Sequence, residues 1–432
     1  MKFAKLSLAA MVVAGLASSS FAADTLADAF KNGKVNGELK AWYFDKTVEN
    51  TKQNNENITN FAVELGYVTD SFYGLRLGTT FQGNATPFAD GDNLNTAAGQ
   101  EKYMFRNDQY ASGAVLSEVY LGYKLGKTDV KIGRQYISTP LVGGSGSRIY
   151  KESFQGVTLV NTDLPQTTLV AGYVNKFQGR TGALNEVADF GSAPKFTNKA
   201  NFGSAGEQVF DDAYTFAVIN KSISNLTLTA QYAAVTDVAN LDDVDVYYTE
   251  ANYVLPMNGF KLGFDANFRG SKTGNKLDGL DLEGHYLAAR ISVSELAGFG
   301  ASFAAATTDN TDKTIQGMGN GPTSYTSTFI RGTSTRMGAN TDSYLFAATY
   351  DFSKVGVAGL TALAQYGWTE QGTVANVKGT DYTNKIAGVV YAVPAVKGLT
   401  TSLHYETQEA DNKQTTVKTD TDELWFKAGY KF

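Results

Sequence analysis

LWFKAGYKF, residues 424–432, ends the chain with Leu424, Phe426, Ala428, Tyr430 and Phe432 alternating with Trp425, Lys427, Gly429 and Lys431. Successive side chains of a strand point to opposite faces, so this is a ribbon with one apolar side. Chain ends ordinarily fray, and an apolar edge strand invites aggregation. Such an ending is stable where it is not an edge.

The same period-2 alternation recurs along the whole chain, and long amphipathic helical patterns are nearly absent. FKLGFDANFRG (260–270) sets Phe260, Leu262, Phe264, Ala266 and Phe268 against Lys261, Gly263, Asp265, Asn267 and Arg269. FAVELGY, LRLGTTF, YLFAATYDF and LTTSLHYE repeat it. About eighteen segments of this kind are predicted, near 34–46, 58–69, 72–82, 115–125, 127–137, 153–161, 166–177, 212–220, 225–235, 243–254, 259–270, 281–293, 297–308, 341–352, 357–369, 381–391, 397–408 and 421–432. Short turns alternate with longer connections, the long ones at 83–114, 138–152, 178–210 and 309–340. All seven prolines fall outside the predicted segments, where a missing N–H is expected to cost least.

Short turns on one rim, long loops on the other and an even strand number describe an all-β, transmembrane, antiparallel barrel with periplasmic termini. A soluble sandwich or solenoid also alternates, but it hides its apolar set. Here that set is rich in Tyr and Phe near segment ends, as interfacial girdles are, and the other set carries the charges. In a closed barrel the last strand pairs with VNGELKAWYF (35–44), so LWFKAGYKF has no free edge.

The N-terminus reads as a secretory signal: Lys2 and Lys5, an apolar run from Leu6 to Ala17, and small residues Ser20 and Ala22 before a cleavage point at Ala23. A spanning helix needs roughly 20 apolar residues, more than this run or AGVVYAVPAV (387–396) offers. Residues 1–22 are therefore expected to be removed and 23–432 to form one barrel domain. The chain has no cysteine, which excludes a disulfide framework and thiol chemistry. Its net charge is −6 with no basic tract, which argues against nucleic acid as a partner.

One stretch, GRQYISTPLVGGSGSRIYKESFQGVTLVNTDLPQTTLVAGY (133–173), resembles the outer-membrane porin D (OprD) family of substrate-specific porins of Gram-negative bacteria. Gly133, Gln135 and Pro140 match the family's G-x-Q run and following proline. Ser147, Arg148, Glu152, Phe154 and Gly156 match S-R-x-x-x-E-x-F-x-G, and Thr168, Leu169 and Gly172 match T-L-x-x-G. KAWYFD (40–45) looks like the family's first strand. The major outer-membrane porin of the campylobacter group is a more distant likeness. The resemblance implies an eighteen-stranded barrel, a third loop folded inward to narrow the pore, and a ladder of basic residues that draws in carboxylate-bearing solutes. Phe432 also resembles the terminal aromatic that outer-membrane proteins present to their insertion machinery.

A barrel of this size leaves an aqueous channel, so inward charges meet water or solute. Parity places Lys40, Arg76, Lys124, Lys131 and Lys427 inside on nearly contiguous strands. Arg148 and Glu152 arrive with the third loop, and Lys261, Arg269 and Arg290 form a second inward group interrupted by Asp265. A positive wall facing an acidic loop sets a transverse field that orients dipolar solutes and focuses anions. Arginine grips a carboxylate in a two-pronged fork that lysine lacks, so this lysine-rich ladder argues against tight specificity. Arg134 is awkward: Val130 and Ile132 face lipid and strict parity sends it outward as well. A bulge at Gly133 is expected to turn it into the pore.

Other signals are weaker. GGSGSR (143–148) lacks the ending and following helix of a phosphate loop. Ser402 and His404 lack an orienting third group, so catalysis is not expected. DGD (90–92) and LDDVD (241–245) miss the spacing of a calcium loop and read as solvated. No motif demands a cofactor. The expected function is passive diffusion of small hydrophilic solutes, with carboxylates such as amino acids or organic acids favoured. The alternatives are an unselective diffusion porin and a surface protein whose loops mediate adhesion. Expected partners are outer-membrane lipid, lipopolysaccharide and the insertion machinery; many porins are trimers, and no feature here fixes the number.

Overall fold

A computed structural model describes residues 23–49, 55–91, 112–181, 193–330 and 334–432. The expected signal segment lies outside the described residues. One sheet of nineteen strands dominates; one strand is the two-residue segment Phe196–Thr197, and the other eighteen close into a barrel. They are β1 (Lys34–Val48), β2 (Asn55–Val68), β3 (Leu75–Gly91), β4 (Gly113–Leu125), β5 (Thr128–Gln135), β6 (Ser153–Asn161), β7 (Thr167–Gln178), β8 (Ala213–Asn220) and β9 (Leu226–Val238). The second half comprises β10 (Asp242–Met257), β11 (Phe260–Thr273), β12 (His285–Leu296), β13 (Phe299–Thr308), β14 (Thr341–Asp351), β15 (Leu360–Gln371), β16 (Thr380–Ala392), β17 (Leu399–Asn412) and β18 (Val417–Lys431). Every expected strand is present. β3 runs on to Gly91, well into what the sequence suggested was loop, and β12 starts only at His285.

Each strand pairs antiparallel with its chain neighbours, and β1 also pairs with β18, from Glu38↔Lys431 to Val48↔Thr421. The C-terminal ribbon is therefore an interior strand, and Gly37 exchanges two backbone hydrogen bonds of 3.1 Å with Phe432. Leu39, Leu65, Leu121, Ile132, Phe264, Ile291, Phe346, Leu403 and Phe426 are all exposed on the outside. For an isolated soluble molecule that belt would be untenable; hydrocarbon is the solvent that accepts it. A six-residue helix, Leu26–Lys31, precedes β1, its N-cap Thr25 accepting from the Asp28 N–H.

The bore is not empty. The third extracellular loop (136–152) folds inward, as does the long connection between β13 and β14. Val142 of the third loop forms a parallel bridge with Met318, and Met318 donates to the Leu141 carbonyl at 2.7 Å. Ile137, Leu141, Val142, Phe154, Phe177, Ile315 and Met318 share one buried apolar cluster inside the barrel. Further along, Phe329 stacks on His404 of β17 with ring centroids 3.9 Å apart, and Glu406 accepts from Thr328 Oγ1 and the Ile330 N–H at 2.9 Å each. This second infolded loop was not evident from the sequence, which supplies no alternation to follow there.

Two motif glycines explain how the third loop leaves the wall. A Cβ at Gly133, where φ is +127°, would sit 2.2 Å from the Val119 carbonyl oxygen; one at Gly156 would sit 1.8 Å from that of Tyr173. The sheet pinches here to let the chain turn inward, and only glycine fits the pinch. The register shifts at Gln155/Gly156 against β7 and at Thr80/Phe81 against β4.

Candidate functional site: the loop-narrowed lumen

The polar parity of β1 and β18 puts Lys40, Trp42 and Phe44 beside Glu423, Trp425 and Lys427 on the inner wall, while the third loop lays Ile149 across them. Lys427 Nζ lies 4.1 Å from the Trp42 ring centroid and 4.3 Å from that of Trp425, and donates to the Ser147 carbonyl at 2.8 Å. The Arg148 guanidinium lies over Trp425 as well, 4.8 Å from its ring centroid. Lys40 Nζ is 3.4 Å from Glu64 and 3.3 Å from the Ile149 carbonyl. Three of the expected ladder residues therefore meet around two tryptophans, each cation held by a π face as well as by oxygen.

Below this cluster is a cavity of about 480 Å³, lined among others by Glu38, Lys40, Trp42, Glu64, Lys151 and Lys431. Lys151, which sequence reasoning did not single out, stands 3.7 Å over the Tyr136 ring. It lies in a loop, where parity says nothing. Trp42 and Trp425, by contrast, were readable, since each shares its face with a ladder lysine.

On the adjoining wall Arg76 is held by both oxygens of Asp129, at 2.6 and 2.9 Å, and Lys131 lies 4.6 Å over Tyr120. Across the bore, Arg290 is bound by Asp265 and lies 4.8 Å over Tyr325, whose hydroxyl donates to Glu250. Arg269 is buried between the two infolded loops. It reaches the Pro140 carbonyl at 3.3 Å and Met337 Sδ at 3.5 Å, so it braces the loops rather than facing solute. Lys261 pairs with Glu295 at 2.8 Å.

Two expectations about orientation do not hold. Glu152 is not exposed to the passage; it is completely buried, accepting from the Ser145 N–H at 2.8 Å, the Asn320 N–H at 2.9 Å and Asn320 Nδ2 at 2.5 Å. Burial pushes its carboxyl up, against the opposing pull of Arg180 and these donors. Arg134 does not turn into the pore. Ile132↔Val157, Gly133↔Gly156 and Arg134↔Gln155 pair without a register shift, so Arg134 keeps the outer face of Ile132. The irregularities that Gly133 was expected to absorb fall on the neighbouring strand pairs instead.

Among the described residues no group of three or more His, Cys, Asp or Glu side chains could hold a metal ion. The site is a charged, aromatic-walled passage.

Comparison with known proteins agrees with this geometry. The fold resembles Pseudomonas aeruginosa OccK9 (OpdG) with a TM-score of 0.75 and 16% identity, covering 94% of this chain and 100% of that one. It resembles OpdQ of the same organism at 0.72 and 17% identity, covering 94% and 99%. P. aeruginosa OpdK, solved with vanillate, follows at 0.73 and 16% identity, covering 93% and 99%. No curated protein matches the sequence. Residues 30–432 match the model of the outer membrane porin, OprD family. The chain belongs to the OprD family of outer-membrane porins.

Proposed function

We propose that this porin favours small solutes bearing a carboxylate. The observation that carries the reading is the convergence of Lys40, Arg148 and Lys427 on the Trp42–Trp425 wall, with Lys151 at the cavity below. A cationic, low-dielectric wall concentrates anions and lowers the barrier to their entry. Only Arg148 carries a fork; the lysines are point charges already shared with ring faces and protein oxygens, which weakens their hold on a carboxylate, and a conduit needs weak, successive sites rather than one tight one. The tryptophan faces add a surface on which a flat solute can slide. OpdK, of similar fold, was solved with vanillate, which is in keeping with a carboxylate as cargo.

The test is reversal potential in a planar bilayer, combined with liposome swelling by a monocarboxylate and a neutral sugar of equal mass. The wild type should prefer the carboxylate, and the Arg148→Gln/Lys427→Gln double variant should lose about tenfold of that preference. Equal swelling rates in the wild type would leave an unselective diffusion porin.

A further inference from the structure

Arg134, displaced from the pore, belongs to a pattern on the outer wall. The cross-strand row Ile132–Val157–Tyr173–Tyr214 is apolar and aromatic, with the Tyr173 and Tyr214 rings 5.4 Å apart. β5 and β7 both run from the short-turn rim, so the next outward row toward the loops is Arg134–Gln155–Lys176. Arg134 Nε lies 3.5 Å from Gln155 Oε1, its Nη1 donates to the Leu116 carbonyl at 3.3 Å, and its guanidinium covers the Phe196 ring at 4.3 Å. Lys176 is exposed. Neither cation makes an ion pair among the described residues.

A cation on the hydrocarbon face costs about 2–4 kcal/mol at the midplane and almost nothing at the interface. Two cations one row beyond a tyrosine pair therefore stand at the headgroup level of the outer leaflet, continuous with the lipid belt beneath. Strands two apart are separated by about 10 Å, a gap that both long side chains can close over one anionic group. Arginine supplies the planar fork that phosphate fits, and lysine the point charge.

We propose that Arg134, Gln155 and Lys176 form a docking site for a phosphate of the phosphorylated glycolipid of the outer leaflet. Its acyl chains would lie along Ile132, Leu121 and Tyr173. The inference is independent of what passes through the pore.

Native mass spectrometry of the detergent-solubilised porin with purified lipid A, in phosphorylated and enzymatically dephosphorylated forms, tests it. The wild type should retain the phosphorylated form, release it as ammonium acetate is raised, and show little of the dephosphorylated form. Arg134→Gln/Lys176→Gln should weaken retention about tenfold, the loss of one to two charge-assisted contacts. Its single-channel conductance should remain at the wild-type value, as neither side chain faces the lumen. Equal retention of both lipid forms by the wild type would overturn the proposal without any variant. Equal competition by phosphatidylglycerol would also overturn it, by reducing the site to a generic anionic surface. If the double variant does not fold, Lys176→Gln alone, at an exposed position, gives the same comparison, and undiminished retention there counts against the site.

Discussion

A lumen charge acts on solute only to the extent that its own neighbours leave it uncompensated, and the residues here divide on that criterion. Arg76 Nη2 donates to both oxygens of Asp129, and the field of this pair largely cancels at a distance. Arg76→Gln should therefore uncover the Asp129 carboxylate and shift the reversal potential toward cations, whereas Asp129→Asn should uncover the guanidinium and shift it toward anions. The second change also strands a half-buried cation, at a cost of about 3 kcal/mol. A shift from only one of the two variants would show that the two charges do not offset each other at the solute. The Trp42–Trp425 cluster invites a related test. Lys427 is held between two ring faces and one carbonyl, so Trp425→Ala should free it, weaken carboxylate block of the current and leave the conductance in plain salt nearly constant. Parity alone made Lys40 and Lys427 legible, and the same parity carries Trp42 and Trp425, which the sequence reading did not single out. For Arg134 strict parity pointed the right way, and the bulge expected at Gly133 to override it is absent; the structure takes up the irregularity on the flanking strand pairs.

Strands were readable because lipid on one side and water on the other impose a period that survives in the sequence. Loops carry no such period. The inward course of the connection between β13 and β14, and its bridge to the third loop, are therefore consequences of packing that only the assembled barrel reveals. Glu152 joins the two loops through three donors from Ser145 and Asn320. Glu152→Ala would leave buried N–H groups unsatisfied, costing about 1–3 kcal/mol locally, while the barrel itself stays intact. Single-channel records of the variant should show added open-channel noise at unchanged mean conductance polarity. The pH dependence follows from the raised carboxyl. The closed junction binds the proton more tightly than an opened loop would, so closure gains as pH falls from the raised value toward the ordinary carboxyl range near ~4.3 and is lost as pH rises through the raised value. Wild-type noise should therefore fall on acidification through that window, and the alanine variant should show no such trend. Noise that grows on acidification in the wild type would mean that the three hydrogen bonds to the ionised form outweigh its burial.

The whole molecule is a pair of opposed solvents kept apart by one sheet, and its stability should respond to charge by depth rather than by residue type. Leu121 lies on the outer face two rows from the register pair Leu125↔Thr128 and opposite Leu77 and Ile132, well inside the apolar belt. Leu121→Arg should lower the free energy of unfolding in lipid vesicles by about 2–4 kcal/mol. Arg134→Leu, nearer the loop rim on the same face, should change it by less than about 1 kcal/mol, since that site already lies at the interface. The inward Gly122, next along the strand, is a poor comparison because a Cβ there meets Arg76 at 2.9 Å. Equilibrium denaturation followed by tryptophan fluorescence and by heat-modifiable migration measures both changes on one scale. A gain of about 2–4 kcal/mol on Arg134→Leu would mean that Arg134 lies as deep as Leu121, and the boundary inferred from Tyr173 and Tyr214 would have to move outward.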